Sequence, residues 1–162
     1  MLKPVRKKKL RAPQGEFYII ASQYNARYVD AMLRAAQGAL KEAGVTRVQT
    51  LRVPGAFEIP AVASSVACQN RDDLAAIICL GVVIRGETAH AQLVAEGVTH
   101  ALAGLQVSFH LPVIHGVLLL DNEEQAKVRC LGQEHNRGLE AAQTALAMAA
   151  IMEKVFPVDV PF

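Results

Sequence analysis

Arg85, Thr88 and His90 fall close together in the stretch GVVIRGETAH, from Gly81 to His90. Arginine offers a planar fork of N–H donors, threonine a hydroxyl, and histidine an imidazole whose ordinary pKa is about 6.5. The stretch begins as a short apolar run, turns at Gly86 and passes into a helical pattern. A strand that delivers the chain to a glycine turn ahead of a helix leaves backbone N–H groups free to hold phosphate or carboxylate oxygens. Such a cradle beside a group that moves protons near neutral pH is the chemistry of a reaction site for an anionic substrate.

A single loop of this kind is common, so the elements that present it decide its weight. A strand is expected over Phe17–Ser22, ending at Gln23-Tyr24-Asn25 before a helical pattern of Tyr28, Met32, Ala36, Leu40 and Ala43 that Gly44 closes. A second strand, Val48–Val53, ends at Pro54-Gly55-Ala56-Phe57-Glu58 ahead of a helix from near Ile59. The third, Ala75–Ile84, leads to the loop above and to a helix expected over Glu87–Phe109. The fourth, Pro112–Leu120, ends at Asp121-Asn122-Glu123-Glu124, a helix start with acids in its first turn. A last helical pattern, Leu139, Ala142, Leu146, Ala149 and Met152, reaches Pro157.

Strand and helix therefore alternate throughout, and apolar strands of this kind are covered on both faces. The expected fold is a three-layer α/β/α sandwich with a four-stranded parallel sheet. Ligands of such sheets sit beyond the carboxyl ends of the strands, the rim to which Tyr24-Asn25, Gly55 to Glu58 and Arg85 to His90 all belong.

The chain of 162 residues fits one domain with a real core. Residues 1–15 are expected to form a basic N-terminal arm, 16–156 the folded domain and 157–162 a short tail. The arm concentrates charge: Lys3, Arg6, Lys7, Lys8, Lys9 and Arg11 are six of the seventeen cations, although the net charge is only +2. It reads as a solvated tail, or as an arm that touches acidic material. No apolar run is long enough to span a membrane, and neither a membrane nor a nucleic acid is expected as partner. Cys68, Cys79 and Cys130 are unpatterned and read as buried, reduced thiols of a cytoplasmic protein; the five histidines show no metal-ligand spacing.

Three motifs closely resemble those of the lumazine synthase family: VPGAFEIP at Val53 to Pro60, GVVIRGETAH at Gly81 to His90, and the looser PVIHGVLLLDNEEQAKVR at Pro112 to Arg129. NRGLEAA, from Asn136 to Ala142, is a weaker match. The resemblance implies a flavodoxin-like fold and a condensation of 5-amino-6-ribitylaminouracil with 3,4-dihydroxy-2-butanone 4-phosphate, giving 6,7-dimethyl-8-ribityllumazine, phosphate and water. It implies no cofactor, assembly into pentamers or closed shells of twelve pentamers, and riboflavin synthase as a candidate partner. A flavin- or lumazine-binding shell protein with little turnover is the alternative.

Carried over by position, the resemblance makes His90 the acid/base and Glu140 an acidic residue that approaches it from another subunit. Gly86, Glu87 and Thr88, with Arg85 beside them, match the phosphate loop, and Arg129 the arginine that reaches it from the adjacent chain. Tyr24 matches the aromatic face on which the pyrimidine stacks; Ala56, Val83 and Ile84 offer main-chain groups to its edge, and Phe57 and Glu58 lie beside the ribityl chain. His115, where the family usually has Phe, stands at the edge of the pyrimidine pocket, and Arg137 replaces a lysine that contacts substrate from the neighbouring chain. Ala91 and Leu119 depart from a usual Phe and Thr. Without the resemblance, Phe57 reads as core and Glu58 as a charge matched to a helix dipole.

Overall fold

An eleven-residue stretch without charge, LAAIICLGVVI, runs through the middle of the protein as strand β3 (Leu74–Ile84). In the computed structural model, which describes residues 4–6, 10, 13–69 and 72–156, β3 lies between β1 (Glu16–Ser22) and β4 (Val113–Leu120), and β2 (Val48–Val53) pairs with the far side of β1. All pairings are parallel and the order is β2-β1-β3-β4. Successive residues of a strand point to opposite faces. Phe17, Ile19, Ala21, Ile78 and Leu80 accordingly pack under α1 (Ala26–Glu42) and α5 (Arg137–Val155). Ile20, Ile77, Cys79 and Val113 pack under α2 (Ile59–Ala67) and α3 (His90–Phe109). The three-layer α/β/α sandwich expected from the alternation is the fold observed.

Two expectations fail in instructive ways. Strand β2 is not covered on both faces: Gln49, Thr50, Leu51 and Arg52 are exposed. It is an edge strand, and its polar side chains are held by neighbours instead, Thr50 by Gln37, Arg52 by Asp30 and Gln49 by Glu16. Helix α3 begins at His90, three residues later than the pattern suggests. The Thr88 hydroxyl accepts from the His90 N–H at 3.4 Å, a local side-chain bond that competes with a helical start.

After β4 the chain forms a short helix, α4 (Glu123–Ala126), whose N-cap Asn122 accepts from the Gln125 N–H at 3.0 Å. It continues as a π-helical turn, Lys127–Leu131. Helix α5 then packs so tightly on α1 that a Cβ at Gly138 would run into the Met32 carbonyl. Gly138→Ala is expected to cost about 3 kcal/mol, read as a lower denaturant midpoint at unchanged slope, because backbone rather than a flexible side chain must move.

Cys79 and Cys130 are buried as expected, but Cys68, just past the end of α2, is exposed. Burial pushes both buried thiols up to about 12. A thiol reagent should therefore label one cysteine per native chain and all three after unfolding. The raised pKa values also set a sign: released thiols ionise near 9.0, so stability should fall as pH rises from there towards about 12. Among the described residues no helix is long and apolar enough to cross a membrane. Lys3, Lys7, Lys8, Lys9 and Arg11 of the basic arm, and the tail 157–162, lie outside the described residues.

Candidate active site

The exits of β1 and β2 are zipped together by main-chain bonds: the Gln23 N–H donates to the Val53 carbonyl at 2.8 Å and the Tyr24 N–H to the Pro54 carbonyl at 3.0 Å. Gly55 then permits a close approach. A Cβ there would lie 2.8 Å from Glu58 Oε2 and 3.0 Å from Tyr24 Cδ2, so only glycine lets the tyrosine ring close against the turn. Glu58 Oε2 accepts from the Gly55 N–H at 2.8 Å and closes the 3₁₀ turn Ala56–Glu58. That turn rests on β3, where a Cβ at Gly81 would meet Ala56 Cβ at 3.3 Å.

These contacts place Tyr24, Ala56, Phe57 and Glu58 at the exits of β1 and β2, with Ala56 against Gly81 of β3, the strand that ends at Val83 and Ile84. Tyr24 is 69% and Phe57 63% exposed, although large aromatics are usually buried. Phe57 is thus not core, as its type alone suggests, but projects towards α3, 3.5 Å from where a Gly97 Cβ would stand. Asn25 is a positioning residue that sequence reasoning leaves without a role. It takes the left-handed conformation (φ 56°, ψ 39°) and its side chain donates to the Val82 carbonyl at 2.8 Å, tying the start of α1 to β3. An asparagine just ahead of a helical pattern was the available signal.

Beyond Ile84, Gly86, Glu87, Thr88 and His90 are all exposed on the same rim. Arg85 is occupied: its Nε donates to Asp121 Oδ1 and its Nη2 to Gln92 Oε1, both at 3.1 Å, and its N–H to the Leu120 carbonyl at 2.7 Å. Hydrogen bonds from Gln125 and then from Arg85 hold the Asp121 carboxyl below the usual range. Arg85 therefore braces the loop after β3 against the loop after β4, while Gly86, Glu87 and Thr88 that follow it are exposed.

The remaining predicted residues form a second group. A groove of about 590 Å³ runs along the outer edge of β4 and α5 and is lined by His115, Arg129, Arg137 and Glu140, with Leu119 and Thr144. None of Tyr24, Phe57, the phosphate-loop residues or His90 lines it. Glu140, expected near His90, is paired within the chain to Arg137. His115 Nε2 lies 2.8 Å from Thr99 Oγ1, whose single hydrogen is given to the Ala95 carbonyl at 2.7 Å. Nε2–H is therefore the donor to Thr99, and Nδ1 remains for other contacts. Among the described residues, no group of three or more His, Cys, Asp or Glu is placed to hold a metal ion.

Fold and rim together define an α/β protein of flavodoxin-like architecture, with an exposed glycine-containing loop after its central strand and exposed aromatic faces on the same rim. The chain belongs to the 6,7-dimethyl-8-ribityllumazine synthase family, whose model matches residues 14–153. It is 38% identical over 149 residues to a 6,7-dimethyl-8-ribityllumazine synthase of Stenotrophomonas maltophilia (strain R551-3), covering 90% of this chain and 95% of that protein. It is 40% identical over 146 residues to a protein of the same name from Xanthomonas oryzae pv. oryzae (strain PXO99A), covering 89% and 94%.

Proposed function

We propose that the lumazine synthase reaction runs at a site shared by two copies of this chain, the rim of one facing the groove of the next. The observation that carries this reading is the separation itself: acid/base and stacking residues lie at the rim, and two arginines that suit an anionic substrate lie in a groove they do not line. Two exposed aromatics at the rim, Tyr24 and Phe57, would be covered by such a partner. Helix α3 supports assembly as well, since only Ala91, Val98 and Leu102 are buried and Leu93 and Val107 are 64% and 72% exposed.

In this arrangement the phosphate of the ketone meets the Gly86-Glu87-Thr88 amides and hydroxyl and the Arg129 fork, a donor set that can bind several oxygens at once. The pyrimidine stacks on Tyr24, its edge against Ala56, Val83 and Ile84, with Phe57 and Glu58 along the ribityl chain and His115 and Arg137 closing the pocket. One exocyclic amine attacks the ketone and expels water to form an imine, phosphate leaves by elimination, and the second nitrogen adds to the remaining carbonyl and closes the ring with loss of a second water. Each step moves a proton, which His90 relays, while Glu140 steadies its protonated form.

Mixing the purified protein with both substrates should yield lumazine fluorescence and one released phosphate per product; phosphate release without product would overturn the assignment. Assembly is expected to reach at least the pentamer, and a shell of about sixty chains is the larger outcome. Light scattering distinguishes them, and a stable monomer with full activity would contradict a shared site. Deleting residues 1–11 should leave the pentamer intact, because β1 begins at Glu16 and the described part of the arm adds only the bonds of Val5 to Glu134 and of Gln143 to Arg6 and the packing of Leu10. Reduced thiols fit a cytoplasmic setting.

A further inference from the structure

The groove presents its two arginines from different elements, Arg129 from the π-helical turn and Arg137 from the first position of α5. π-Helical turns are rare, occur mostly as single turns and are frequent at functional sites. Left alone, such a turn gives Arg129 no fixed base from which to meet a phosphate.

Asn136 stands between the two. It is only 8% exposed, and its side chain is bonded at both its oxygen and its nitrogen. Oδ1 accepts from the Gly138 N–H at 2.9 Å and the Leu139 N–H at 3.3 Å, which caps α5. Nδ2 donates at 2.6 Å to the carbonyl of Cys130, six residues back and next to Arg129. The cap alone does not require that second bond, since Asp and Ser cap about as well as Asn. The amide is distinctive because it accepts on one side and donates on the other.

The segment is held at its other end too. The Tyr28 hydroxyl of α1 donates to Glu123 Oε2 at 3.2 Å, fixing the start of α4. Gly138 seats the start of α5 directly on the α1 backbone at Met32. Arg129 thus lies in a loop clamped at both ends to one helix, and Asn136 is the clamp nearest to it.

We infer that Asn136 is a positioning residue that fixes the π-helical turn against the N-terminus of α5 and so sets the place of Arg129 for the phosphate. The inference rests on the assignment of Arg129 to the phosphate of the ketone. Asn136→Asp keeps the acceptor that caps α5 and removes the donor to Cys130. It is expected to raise KM for the phosphorylated ketone about tenfold, and to weaken inhibition by inorganic phosphate by the same factor, with kcat and KM for the pyrimidine within about twofold. Asn136→Ser, which caps without setting a carboxylate against the Cys130 carbonyl, should show the same split if the first variant does not fold. Unchanged phosphate parameters in a folded variant, or an equal rise in both KM values, would overturn the clamp. Failure of both variants to fold would make Asn136 a residue of the fold and overturn the positioning role. Arg129→Ala serves as the control: without a phosphate-selective defect there, the phosphate assignment itself has failed, and the clamp with it.

Discussion

His90→Ala is expected to lower turnover about a hundredfold while leaving the affinity for a product analogue nearly unchanged. The imidazole starts α3 on the exposed rim beside the phosphate loop. In the proposed site, stacking and main-chain recognition of the pyrimidine fall instead to Tyr24, Ala56, Val83 and Ile84. Removing a group that only transfers protons costs the transition state and spares ground-state binding, so kcat and kcat/KM should fall together. The loss is set at the lower end of the usual range for acid/base groups because amine and ketone condense in water without help. Steady-state kinetics beside calorimetric binding of the analogue measures both quantities. Unchanged turnover would remove His90 from the chemistry.

Arg129→Ala is expected to raise KM for the phosphorylated ketone by about a hundredfold and KM for the pyrimidine by less than about threefold. A charge-assisted, bidentate bond to phosphate contributes several times what a neutral hydrogen bond does, and the arginine that remains in the groove, Arg137, is paired with Glu140. Lysine is a poor substitute, as a point charge cannot reproduce the fork. Arg129→Lys should therefore recover only part of the loss. Varying each substrate in turn at saturation of the other separates the two constants. Equal effects on both would contradict the phosphate role.

The sequence makes the architecture legible because three of the strands are apolar almost without interruption. β1, β3 and β4 end within a residue or two of their expected limits, since long apolar runs bounded by turn residues leave few alternatives. β2 is found at its expected limits but with the wrong environment. Its boundaries follow from Gly44 and Pro54, whereas its exposure follows from its place at the sheet edge, which depends on strand order and is not a local property. The late start of α3 has a different cause. One hydroxyl bond from Thr88 decides the first turn, and periodicity does not register a single hydrogen bond.

At the candidate site, the motifs and the family resemblance they carry single out the groups proposed to touch substrate, because phosphate loops and stacking faces have local signatures. What stays hidden is who holds them. Asn25 and Asn136 act through bonds to Val82 and Cys130, one distant in sequence and one across a turn. The occupation of Arg85 by Asp121 likewise depends on β3 and β4 being neighbours. The division of the residues between rim and groove is a property of tertiary structure alone.

The shared site is the central claim, and subunit complementation tests it most directly. Assayed with the phosphorylated ketone well below the raised KM of Arg129→Ala, the His90→Ala and Arg129→Ala chains are each nearly inactive in the expected account, one lacking a rim group and the other a groove group. Unfolded together in equal amounts and reassembled, they should form sites whose rim comes from an Arg129→Ala chain and whose groove comes from a His90→Ala chain. Random mixing makes about one site in four intact, so activity should return to about a quarter of the wild-type level. Recovery no greater than the sum of the two variants, in assemblies shown by mass to contain both chains, would place the whole site within one subunit and contradict the account.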